Sequence, residues 1–228
     1  MSRSADVTAE AAPAVSKSQR TYEWVRERIL SREFSPGYRL VLGAIAAELE
    51  VSAVPVREAV RRLEAEGLVE FEKNVGARVA TIDEAAYHNT METLGALEGV
   101  ATALALPLLT TSDLDRAEAL NAEMRRLLED FDPVRFTSLN EQFHRVLFVR
   151  CPNPHIGELV GRGWNRLAGL RRSTFSFVPA RAKESVAEHQ RILELIRTGA
   201  DALDVEMAVR HHRWKTVSAY REASHSTP

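Results

Sequence analysis

Residues 51–69, VSAVPVREAVRRLEAEGLV, decide the fold. Val56, Ala59, Val60 and Leu63 recur at helical spacing, and Gly67 ends the helix as a C-terminal glycine does. Just upstream, Leu42, Ile45, Ala46 and Leu49 mark a short helix, and Glu50-Val51-Ser52 is the turn between the two. Earlier still, Tyr22, Val25, Ile29 and Leu30 mark a further helix, closed by Ser35-Pro36-Gly37. Downstream, the runs 68–72 and 77–80 flank Lys73-Asn74-Val75-Gly76, which reads as a hairpin tip. Helix, helix, turn, helix, hairpin is the order of a winged helix-turn-helix. It is expected over 18–81, with the two paired helices at 42–61 and a disordered tail over 1–17.

Such a unit reads DNA by bracing one helix on the backbone while the next presents its N-terminal side chains to the major groove. From Ser52 onward the outward positions include Ala53, Arg57, Arg61 and Arg62, and arginines suit phosphates and guanine edges. Gly76 would let the hairpin backbone approach a phosphate or the minor groove. The competing reading is a small helical packing unit with solvated arginines. Bulk charge does not decide, because residues 18–80 carry 10 Arg and Lys against 10 Asp and Glu.

The remainder of the 228-residue chain is helical in pattern. Candidate helices are 83–108, 111–130, 133–150, 154–173, 179–198 and 201–222, with Thr111 or Ser112, Asp132 and Asp201 as candidate N-caps. The fold class is therefore mainly α: the winged unit, then an all-helical antiparallel bundle of about six to seven helices over 82–222, with a short tail over 223–228. Cys151 is the single cysteine, so an intramolecular disulfide is excluded. No apolar run approaches the roughly 20 residues that span a bilayer, and the N-terminus lacks the apolar core of a signal peptide. The expected location is the cytoplasm, with no membrane partner.

SPGYRL (35–40), VSAVPVREAVRRLEAEGLV (51–69) and VGARVA (75–80) together resemble the winged helix of GntR-type bacterial transcription regulators. The helical remainder resembles the FCD ligand-sensing domain of their FadR-like branch. The resemblance implies a homodimer that binds palindromic operator DNA under control of a small molecule. Carried onto this chain, its DNA contacts fall on Arg39, Ser52, Arg57, Arg61, Gly76 and Arg78. Ala53 and Gly43 stand where the family usually has base-reading arginines, so the usual operator core does not carry over.

The helical half holds a second pattern. Phe136, Leu139, Phe143 and Leu147 define one apolar side, with Asn140 and His144 four apart on or beside it. His189 lies beside Ile192, Leu193 and Ile196, and His211-His212 follow Val205, Ala208 and Val209. A lone histidine on an apolar face is usually a hydrogen-bonded core residue, but three on separate helices match a metal site. The FCD resemblance implies that Asn140, His144, His189 and His212 hold a divalent ion, zinc foremost, with nickel or manganese as alternatives. Asn140 replaces the commoner Asp. Adjacent helix positions differ by about 100°, so His211 and His212 are alternatives, and the family's alignment favours His212. A carboxylic acid filling open metal positions would be the effector. The family's effector arginine falls on Leu94, so Arg162, Arg166, Arg171 and Arg172 are the candidate replacements, the first two foremost. Two other classes stay open, a metal-dependent enzyme and a helical dimerisation module with a weakened DNA domain. Against an enzyme, no HExxH, GxSxG, Walker or Rossmann pattern occurs.

Overall fold

A computed structural model describes residues 16–31, 33–72, 75–81, 83–170, 175, 176 and 178–225. Residues 1–15 of the expected tail, the Lys73-Asn74 tip, and Arg171 and Arg172 lie outside the described residues.

Ser16 and Lys17, assigned to the tail by sequence, instead open the first helix, α1 (Lys17–Leu30), because the Ser16 hydroxyl accepts from the Gln19 amide at 3.1 Å. Its buried face, Tyr22, Val25 and Ile29, meets that of α3 (Ala53–Ala65), which is Val56, Ala59, Val60 and Leu63. The short α2 (Leu42–Glu48) leans on α3 and buries Ile45. Gly67, at φ 76°, ends α3: its amide reaches the Glu64 carbonyl and Leu68 that of Leu63, at 3.0 and 2.9 Å. The wing pairs β1 (Val69–Glu72) with β2 (Gly76–Val79) antiparallel, Val69 opposite Val79. Arg39 adds an isolated bridge to Arg78.

The α2–α3 turn makes the same two backbone bonds, Glu50 to Ala47 and Val51 to Ala46, but its left-handed residue is Glu50, at φ 52°. An L side chain there costs about 1–2 kcal/mol, of which the extra freedom of glycine in the unfolded chain returns roughly 0.5–1. Glu50→Gly is thus expected to stabilise the protein by about 0.5–1 kcal/mol. Chemical denaturation would show this as a raised midpoint, and a lowered midpoint would contradict it.

The second unit contains α4 (Glu84–Ala105), a 3₁₀ turn (Leu106–Leu108), α5 (Thr111–Arg126), α6 (Pro133–Phe148), α7 (Pro154–Leu170), α8 (Arg181–Arg197) and α9 (Ala202–His225). The six expected helices are all there, with shifted ends. Pro107 turns the end of the first into the 3₁₀ segment, and α9 extends through His225, three residues into the expected tail. The cap of α5 is Thr110 rather than Thr111 or Ser112; its hydroxyl accepts from the Asp113 amide while Asp113 accepts the Thr110 amide in return. Asp132 caps α6 as expected, ahead of Pro133. α4 lies against α9 and α7, and α5 packs on α6 and α8. A Cβ on Gly99 would come within 2.9 Å of the Glu206 carbonyl oxygen, so α4 and α9 approach backbone to backbone. That close crossing brings Glu98 of α4 to the histidine-bearing segment of α9. One apolar core lies around Phe136, Phe143 and Leu193, another around Tyr87, Leu94 and Trp164, and buried polar side chains run between them.

Candidate functional site

His144 on α6, His189 on α8 and His212 on α9 converge in that polar layer, each at most 3% exposed. The Nε2 of His212 lies 3.1 Å from that of His144 and 3.3 Å from that of His189. The outer nitrogens have partners of their own. His189 Nδ1 lies 3.2 Å from Asn121 Oδ1. The Asn121 amide group donates to the Val186 carbonyl, which fixes its oxygen toward the ring. His212 Nδ1 is 2.8 Å from Glu188 Oε2, and Arg181 holds that same carboxylate oxygen. His144 Nδ1 faces Glu98 at a longer 3.7 Å. Acceptors at Nδ1 place the ring protons of His189 and His212 there and leave their Nε2 lone pairs pointing inward.

Burial, then the charge of Arg213, holds His144 well below the usual histidine range, and burial does the same to His189. Burial also pulls His212 down to about 4, although its bond to Glu188 works the other way. All three are therefore neutral near pH 7. Neutral imidazoles with converging lone pairs and oriented outer nitrogens form a donor set suited to a divalent cation, which a core of hydrogen-bonded histidines would not need. The three rings satisfy the proximity needed to share one ion.

Asn140 is buried one turn before His144. Its Oδ1 accepts from Ser185 Oγ at 3.5 Å, and that hydroxyl lies 3.4 Å from His189 Nε2. His211, in contrast, is exposed and edges onto the Trp214 ring. The structure thus brings His212, not its neighbour, into the cluster.

A pocket of about 80 Å³, partly open to solvent, adjoins the cluster through Asn140 and His212. Met91, Trp164, Leu167, Ala168 and Phe175 supply its apolar walls, and Thr137, Glu141, Arg213 and Thr216 complete it. Arg162 and Arg166, the arginines expected at the effector, do not line it. Since Trp164 and Leu167 occupy the inward side of α7, Arg162 points to solvent beside Glu158, and Arg166 donates from Nε to Thr90 Oγ1. The arginine in the wall is Arg213, whose Nε and Nη2 donate to Glu98 at 2.6 and 2.9 Å. Trp164 Nε1 donates to Glu98 as well, at 2.6 Å.

Sequence reading passed over Asn121, Ser185, Glu98, Arg181 and Arg213. Asn121 left a signal, a lone amide between Ala117 and Met124 on an apolar stripe. Glu141 follows Asn140 and Glu188 precedes His189 in sequence, so helical geometry turns each away from its neighbour. Glu188 instead reaches across to His212 on another helix, and Glu141 lines the pocket.

On the winged unit, Ser52, Arg57 and Arg61 are exposed along the start and outer face of α3. The Ser52 hydroxyl makes no capping bond, and among the described residues neither arginine forms an ion pair. Gly76 takes φ 101° at the wing. Arg39 is exposed beside Arg78, whose Nε lies 3.2 Å from Glu72. Arg62 is not part of this face. It folds back over the Tyr22 ring, donates to Gln19 at 2.7 Å and pairs with Glu66 at 3.3 Å. The two units touch where Ser176 Oγ donates to the Glu66 carbonyl at 3.0 Å, at the end of α3. The adjacent Phe175 is a wall of the pocket and packs edge-on against Phe136.

Two family models match this chain: bacterial regulatory proteins of the gntR family over residues 17–79, and the FCD domain over 89–213. A probable D-xylose utilization operon transcriptional repressor of Paenarthrobacter nicotinovorans is 32% identical over 200 residues, covering 82% of this chain and 81% of that protein. The regulator McbR of Escherichia coli K12 is 25% identical over 163 residues, 71% of this chain and 74% of its own. Among solved structures, the Listeria monocytogenes regulator Lar superimposes with a TM-score of 0.52 at 23% identity, covering 92% of this chain and 99% of that one. A putative GntR regulator of Rhodococcus gives 0.51 at 21% identity, covering 90% and 97%.

The winged unit and the helical bundle define a DNA-binding transcription regulator rather than an enzyme. The chain belongs to the GntR family and carries an FCD domain. Among the described residues no helix is long and apolar enough to cross a membrane.

Proposed function

We propose that this regulator grips operator DNA as a homodimer and that a small carboxylic acid, bound at a divalent metal in the helical domain, sets the strength of that grip. Residues 18–81 form the DNA-binding unit, and residues 82–222 the sensing and dimerising one. His144, His189 and His212 hold the ion, zinc foremost, with Asn140 beside them. The carrying observation is the set of buried, neutral imidazoles whose Nε2 atoms converge, 3.1 and 3.3 Å apart. A bound divalent ion supplies a Lewis acid with positions left for carboxylate oxygens. The protein's part is orientation: Asn121 and Glu188 aim two of the rings, and Arg213 with Trp164 holds Glu98 behind the third.

On the DNA side, α3 enters the major groove with Arg57 and Arg61 toward base edges and phosphates, Ser52 binds a phosphate, and Arg39, Gly76 and Arg78 follow the backbone from the wing. A twofold protein then meets two half-sites about one helical turn apart. The test takes an operator selected from random duplexes by the purified protein. Elemental analysis is expected to find about one divalent ion per chain, and metal-loaded protein should change its operator affinity several-fold when short carboxylic acids are added, whereas chelated protein should not. Identical responses before and after chelation would refute the metal's role.

A further inference from the structure

We infer that the first turn of α3 selects thymine by its methyl group: Val54, with Ala53 beside it, packs on the C5-methyl of a thymine in the major groove of each half-site. This rests on the DNA-binding reading above and deepens it by naming the base that this turn takes.

The N-terminal end of such a helix is the part that meets base edges. Here its two opening residues, Ala53 and Val54, are both exposed, Val54 at 59%. Neither side chain carries a donor or an acceptor. Val54 stands two residues before the fully buried Val56, about 200° around the helix from it. Its apolar surface therefore faces away from the core that Val56, Ala59 and Val60 help to build. Arg57 follows on the exposed face, three residues after Val54 and four after Ala53, and Arg61 comes one turn later. Side chains at those spacings are neighbours. The face thus runs from an apolar tip to two arginines. A lone exposed valine is ordinary on a protein surface, but this one stands where a base edge has to be met.

The chemistry of the groove decides which edge fits. Guanine, adenine and cytosine present hydrogen-bonding groups there, whereas thymine adds a methyl group to its carbonyl oxygen. An aliphatic side chain laid over a ring nitrogen, carbonyl or amino group takes water from a polar atom and returns no hydrogen bond. Laid over the thymine methyl, it removes apolar surface of both partners from water. The same turn therefore favours one base and penalises the others. Three residues advance a helix by about 4.5 Å, and base pairs stack about 3.4 Å apart. The selected thymine accordingly lies one or two base pairs from the base that Arg57 contacts.

The experiment uses the full-length protein and the operator it selects from random duplexes. Each thymine is replaced singly by deoxyuridine, which removes the methyl and keeps every hydrogen-bonding group, and affinity is read by fluorescence anisotropy. At one or two positions in each half-site the affinity is expected to fall about three- to fivefold, as for one buried methyl group. Val54→Ala trims an exposed side chain and leaves the core intact. It is expected to weaken binding to the thymine operator and to reduce the deoxyuridine penalty at those positions to below about twofold, because both changes remove the same contact. Val54→Ile is expected to keep the penalty. A selected operator that lacks thymines, or that tolerates deoxyuridine at every one, would overturn the inference. So would a penalty of equal size in the Val54→Ala protein, which would assign it to DNA shape or to another side chain. Failure to enrich any sequence from the random duplexes has a wider meaning: it would refute the operator reading itself, and this inference with it.

Discussion

Replacing His189 with alanine is expected to abolish stoichiometric metal binding and remove the metal's contribution to thermal stability. The ring is fully buried in the cluster, its Nε2 3.3 Å from His212 Nε2, and stacks on Phe143 at 4.0 Å between centroids. Metal at a hundredfold excess over its dissociation constant stabilises a folded protein by about 2.7 kcal/mol. For a chain of this size that corresponds to roughly 5–10 °C in Tm. Because the variant also leaves Asn121 without its ring partner, the decisive quantity is the Tm difference between zinc-loaded and chelated samples, which should vanish in His189→Ala. His211→Ala should keep both metal and difference. Full metal content in the His189 variant would overturn the assignment.

Arg57→Ala is expected to weaken specific operator binding by roughly 10- to 100-fold, the range of about 1–3 kcal/mol for a lost bidentate base contact. Arg57 projects from the exposed side of α3, opposite Val56, Ala59 and Val60, so the fold should not change. Fluorescence anisotropy with the selected operator and with a scrambled duplex would separate the terms, since a base-reading arginine affects the first more than the second. Equal losses on both would reassign Arg57 to phosphate. Arg62→Ala should differ in kind. That side chain holds α1 to α3 through Tyr22, Gln19 and Glu66, so its loss should appear first in the melting curve.

The reading helix and the bundle were legible because their signals are periodic. Val56, Ala59, Val60 and Leu63 predicted the buried side of α3, and the proline and aspartate joints placed six helices to within a few residues. Three histidines were legible for the same reason, as polar exceptions on apolar stripes. The residues that orient them were less so. Glu188 lies next to His189 in sequence, where helical geometry turns it away from that ring, yet it serves a ring on another helix. Such a partnership follows from how α8 and α9 pack, which one-dimensional spacing does not encode. Arg162 and Arg166 misled for a related reason: their spacing is right for one helix face, but Trp164 and Leu167 take the inward side of α7. Arg213 was hidden beside two histidines, and only the close α4–α9 crossing reveals its carboxylate partner.

Phe175 and Ser176 are consecutive residues that belong to different surfaces, one a wall of the pocket and the other bonded to the last turn of the DNA-reading helix. A ligand pressing on Phe175 would thereby bear on the seat of α3. Such coupling is reciprocal by thermodynamic necessity. Whatever factor an effector imposes on operator affinity, the operator imposes on effector affinity. Protein seated on its operator and protein free in solution would then read different concentrations of the same metabolite, and the response threshold would be a property of the three-component equilibrium rather than of the pocket alone.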